Sequence, residues 1–215
     1  MTAVSDTGTT REAAGHDLLL RLAGRLPDRL LWRLREWLST GALDVVAAML
    51  PRALLRHRVG LTDAERDLLE RALAEPGSRR VLDAIAALPA PDDLAPPFRP
   101  GSPDPDPAAL SLLAVARGDG GCVELRQALR ADGRREQRVL LVRADGDRPW
   151  ALAGTFGRLL RAHGDAAPCV EVLPVDDPAV DDPAAAGGDV SALDGTYHRA
   201  ASTGSTLLWR RPPDR

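Results

Sequence analysis

Lysine and asparagine are absent from these 215 residues, and isoleucine occurs once, at Ile85. All 28 basic side chains are arginine. Without lysine there is no Schiff-base amine, no phosphate-binding lysine of a P-loop and no kinase-type lysine. Aromatics make up only 3% of the chain, so its cores must be built from Leu, Val and Ala. Two cysteines at unrelated positions, Cys122 and Cys169, do not make a disulfide scaffold. No uncharged apolar run is long enough to span a bilayer. The first seventeen residues are polar and have no apolar centre, so they do not read as a signal peptide. A cytoplasmic setting is the expectation.

Charge is unevenly placed. Residues 1–60 carry nine arginines against six acids, whereas residues 151–215 carry six against nine. No block has the basic excess of a nucleic-acid-binding domain.

Proline is abundant in one place. Eight of the nineteen residues from Pro89 to Pro107 are proline, a stretch through which neither helix nor inner strand should run. The apolar spacing before it is helical and the spacing after it shortens. We therefore read an α+β chain. Residues 1–10 are expected to be a disordered arm and 11–88 a small all-α helical bundle. Residues 89–107 form a Pro-rich linker that separates independently folded units. Residues 108–211 form a small α+β domain with an antiparallel sheet in the order β-β-β-α-β-β and an acidic surface loop over 176–194.

In the first half, Leu18, Leu19, Leu22 and Leu26 share one side, and Pro27 fits the opening turn of a second helix. That helix has a wide apolar face with Trp32 and Trp37 on different edges. Pro51 is expected to kink or split the next helix, and Thr62-Asp-Ala-Glu65 matches a capping box. Ser78, after Pro76-Gly77, fits the cap of a last helix. In the second half, Leu110–Arg117, Cys122–Arg130 and Gln137–Ala144 read as a meander with Gly-rich and Asp-Gly turns. Asp145-Gly-Asp147 reads as a turn capping a helix that runs from Pro149 to His163. In that helix Gly154 and Gly157 would allow close approach to the sheet. Pro168–Val175 and Leu207–Trp209 supply the last strands.

Catalytic and metal-binding signals are thin. His16, His57, His163 and His198 are scattered, with no His-x-x-x-His and no Cys-x-x-Cys, so no metal site and no cofactor is expected. Asp176, Asp177, Asp181 and Asp182 lack the ligand spacing and central glycine of a calcium loop. Ser202 and Ser205 lack a Gly-x-Ser-x-Gly elbow. Three functional readings remain. The preferred one is a non-enzymatic interaction or regulatory adaptor protein. It binds another protein, or itself, through Trp32, Trp37, Arg52, Arg56 and Arg58, because the apolar face exceeds what a small bundle must bury. The second is a nucleic-acid-binding regulator using the arginines of residues 21–58, among them Arg21, Arg25, Arg29 and Arg33 at four-residue spacing. The third is a thiol enzyme built on Cys169 or Cys122.

Overall fold

The computed structural model describes residues 3–73, 79–89, 95–132, 135–175 and 196–212. Among these, five helices come first: α1 (Ala3–Arg21), α2 (Asp28–Ser39), α3 (Leu43–His57), α4 (Asp63–Leu73) and α5 (Arg79–Ala86). Then follow β1 (Phe98–Pro100), α6 (Pro107–Gly118), β2 (Cys122–Asp132), β3 (Arg135–Ala144), α7 (Pro149–Ala162), β4 (Cys169–Pro174), α8 (Thr196–Thr203) and β5 (Ser205–Arg210). The chain is α+β, with a helical N-terminal region.

The local chemistry explains several boundaries. Thr62 and Glu65 cap α4 reciprocally, Thr62 N–H to Glu65 Oε2 at 2.9 Å and Glu65 N–H to Thr62 Oγ1 at 3.3 Å. Pro51 lies within α3, which continues past it to His57, so it does not split the helix. α1 begins at Ala3, inside the segment read as a disordered arm. The run Leu110–Arg117, expected as a strand, is helix α6. Asp106 caps it by accepting from Ala109 N–H at 2.8 Å, and Pro107 occupies its first turn. The proline-rich stretch therefore holds an edge strand and a helix start rather than linker throughout. The turn before α7 lacks the expected Asp147 cap, because Arg148 holds the N-cap position without a side-chain bond. Ser78, residues 90–94 and the acidic stretch 176–194 lie outside the described residues.

The sheet is mixed, not antiparallel. β2 and β3 form the expected antiparallel hairpin, whereas β3 and β4 run parallel, joined by α7 as the crossover. β1 and β5 both pair antiparallel with β2 on its other side, β1 along residues 128–130 and β5 along 124–128. Strand alternation sorts the core. Leu140, Val142, Val170 and Val172 pack against α6 and α7. Val139, Leu141, Cys169 and Leu173 pack on the opposite face against Leu20 of α1 and Ala201 of α8.

The helical segment does not bury its apolar surface alone. Leu18, Leu19, Leu34, Leu38, Leu54 and Leu69 form its centre, and Trp150 of α7 and Tyr197 of α8 belong to the same core. α2 also lies along α7, which explains its wide apolar face. Gly154 of α7 has no space for a Cβ because Ser39 of α2 lies against it, and Gly157 faces the Trp32 ring. These glycines thus admit a helix, not the sheet. Arg158 bridges the two helices, donating to Ser39 Oγ at 3.3 Å and pairing with Glu36 at 3.5 Å.

Candidate functional site

The polar groups with the most unusual surroundings lie where the helical segment meets the sheet. Arg35 sits on the same α2 face as Leu31 and Leu38, and Glu171 sits in the middle of β4 with its side chain on the α1/α8 side. Their side chains are 6% and 1% exposed. Arg35 grips Glu171 with both prongs, Nη1–Oε1 at 2.8 Å and Nη2–Oε2 at 2.5 Å. The same guanidinium donates to Val170 O at 2.8 Å and to Leu19 O at 3.1 Å. His198 Nε2 lies 3.2 Å from Glu171 Oε2. Burial opposes charging Glu171, but Arg35 and His198 outweigh it and hold the carboxyl down at about 2.

His16 adds a second contact, its Nε2–H donating to Val172 O at 3.0 Å. Burial holds its pKa down at about 4, so the ring is neutral. The carbonyls of Val170 and Val172 thus accept from side chains, and β4 is the last strand of the described sheet. Side chains of α1 and α2 therefore cover an edge that no described strand covers.

A second pair continues the chain of polar groups. Arg130 of β2 pairs with Asp28 at the start of α2 and donates to Tyr197 Oη at 3.0 Å. The Tyr197 ring meets His198 edge-on at 5.3 Å and Phe98 at 5.1 Å. Acids and bases thus run from Asp28 through Arg130, Tyr197, His198 and Glu171 to Arg35. Asp28 and Arg130 also line a cleft of about 490 Å³ together with Arg25, His57, Leu26 and Pro96. Glu171, at the inner end, is sealed. A general acid or base needs reach to a substrate proton, and this carboxylate has none.

The sequence-selected residues fall elsewhere and apart. Trp32 packs on α7 at Gly157, with the Arg161 guanidinium 4.8 Å above its ring. Trp37 packs against the helical core, and Arg33 stands over both indoles at 5.6 and 5.8 Å. Both tryptophans are half-buried, so they do not form the exposed patch that the wide face suggested. Arg52 and Arg56 lie one turn apart on exposed α3, and Arg58 is its left-handed C-cap. Arg21 and Arg25 end up beyond or at the end of α1 while Arg29 and Arg33 ride on α2, so the four-residue spacing does not make one stripe. Arg25 is turned inward, to Glu65 at 2.5 Å.

Both cysteines are free and buried. Burial, with Asp119 and Asp145 adding to it, pushes the Cys122 thiol up to about 11. Burial likewise raises Cys169 well above the usual range, its Sγ resting on Ala167 O at 3.7 Å. At both positions burial favours the neutral thiol over the thiolate. Sequence reasoning named His16 and His198 only as scattered histidines without metal spacing and missed Arg35 and Glu171, yet these last two left a signal. Arg35 occupies a core position of α2, and Glu171 interrupts an otherwise apolar strand. No protein-family model matches this chain, and no curated protein or solved structure matches it.

Proposed function

We propose that this chain is a non-enzymatic interaction protein whose helical N-terminal segment carries the partner surface. The observation behind the reading is the outer face of α3. Val45 and Met49, 40% and 36% exposed, lie at helical spacing with exposed Arg52 and Arg56, and Arg58 follows at the helix end. An apolar turn followed by a basic turn suits an acidic amphipathic protein segment, apolar side to Val45 and Met49, carboxylates to the arginines. This moves the expected surface from the tryptophans to α3 while keeping Arg52, Arg56 and Arg58. The inner end of the acid–base chain supports the reading, since Arg35 and Glu171 tie elements together and are closed to a substrate. Two unbridged cysteines fit a reducing, cytoplasmic setting, which belongs to the same proposal.

The test is affinity capture of the full chain from its native lysate, with partners identified and then reconstituted from pure components. M49E and the double variant R52E/R56E should abolish the reconstituted complex without lowering the melting temperature. A complex that survives both variants, or salt-dependent retention on DNA by those arginines in place of a protein partner, would refute the reading.

A further inference from the structure

We propose that the cleft between the α1–α2 turn, the C-terminal end of α3 and β2 binds a small phosphate-bearing molecule. Its volume, about 490 Å³, is that of a metabolite site rather than a peptide groove. The charged and titratable side chains of its lining are Arg25, Asp28, His57 and Arg130.

Two guanidiniums are fixed in place before any ligand arrives. Arg25 is anchored to Glu65 Oε1 at 2.5 Å and to Gly60 O. Arg130 is anchored to Asp28 and to Tyr197 Oη at 3.0 Å. Each guanidinium has more N–H donors than these bonds use, in a planar fork that matches phosphate oxygens. Because anchoring has already removed their rotamer freedom, a ligand loses little entropy in ordering them. Asp28 and Glu65 neutralise the two anchored cations, so the attraction for an anion comes from the rim. His57 is exposed there, Arg56 and Arg58 flank it in the chain, and Arg29 follows Asp28; all three arginines are exposed. The apolar part of the wall, Leu26, Pro27, Ala95 and Pro96, would lie along the carbon skeleton of a phosphate ester. Arg56 and Arg58 belong both to this rim and to the α3 face, so the two proposals are told apart by H57E, inside the cleft, and M49E, outside it.

The experiment titrates the full chain with inorganic phosphate, glycerol phosphate and acetate at constant ionic strength. Melting temperature and calorimetric heat are followed together. Phosphate and glycerol phosphate should each saturate, with glycerol phosphate the tighter. H57E, which changes an exposed side chain, should weaken both by about tenfold or more while the ligand-free melt is unchanged. R56E/R58E, which reverses two of the rim charges, should weaken them at least as much. The absence of saturation by either phosphate, an equal response of H57E, or equal binding of acetate would overturn the proposal.

Discussion

Replacing Arg35 by alanine should cost this protein a large part of its stability. The variant leaves Glu171, 1% exposed, with His198 as its one polar partner among the described residues, and strips the Arg35 donor from Val170 O and Leu19 O. Removing one member of a buried ion pair costs roughly 3–5 kcal/mol, against a total stability of about 5–15 kcal/mol for a domain. With a urea slope of about 2 kcal/mol per molar, the midpoint should fall by roughly 2 M. Three of the four tryptophans, Trp32, Trp37 and Trp150, lie in the helical core or at its contact with α7, so fluorescence reports on that junction. Far-ultraviolet circular dichroism reports on the helices as a whole. Both probes should move together in R35A, because the pair joins the α2 helix to the β4 strand. The double variant R35M/E171L should recover much of the loss, since it leaves no unpaired charge. A cost below about 1 kcal/mol would show that the ion pair does not hold the two segments together. A second, separate transition in the wild type would show the same.

Acid should weaken the fold in two stages. His16 is held at about 4 mainly by burial, below its ordinary 6.5, so its neutral form is the one the fold prefers. Its contribution is complete above 6.5 and is lost as pH falls from there to about 4. Glu171, held at about 2 against an ordinary 4.5, adds a contribution that is lost between those values. Urea midpoints measured from pH 7 to 4 should fall in the wild type and much less in H16Q; an equal fall in both would remove His16 from the account. Gly154→Ala should cost roughly 1–3 kcal/mol, because the new methyl meets Ser39 of α2, and G154A/S39A should recover part of it. A neutral G154A would mean that the α2–α7 contact is loose. Iodoacetamide at neutral pH should leave Cys122 and Cys169 unlabelled in the native protein and label both in denaturant; rapid native labelling of either would revive the thiol-enzyme reading. Residues 1–89 made alone should remain partly helical but melt without cooperativity, since Trp150 and Tyr197 complete their core; a sharp melt would establish separable units.

Much of the secondary structure was legible before any coordinates. Period and punctuation are local properties, so the Thr62–Glu65 cap, the Pro149 helix, the β2–β3 hairpin and the last two strands could be read directly. Leu110–Arg117 could not, because a short run apolar on nearly all sides suits a buried helix as well as a strand. α8 was missed because its buried side is Tyr197, His198 and Ala201, of which only two are apolar, too few for a period.

What tertiary structure alone decided was how the elements meet. The direction of β4 depends on how α7 crosses over, and strand spacing is the same in parallel and antiparallel pairs. The width of the α2 apolar face was visible in the residues, but its partner was not. An apolar stripe calls for burial without naming the surface that provides it, and that surface proved to be α7, more than a hundred residues further along the chain. The acid–base chain from Asp28 to Arg35 has the same character. Its members come from α2, β2, β4 and α8, and nothing within any one segment names the partner in another. Folding brings them into contact, by ion pairs, hydrogen bonds and one edge-on ring contact, because a buried charge must find a partner wherever the packed chain offers one.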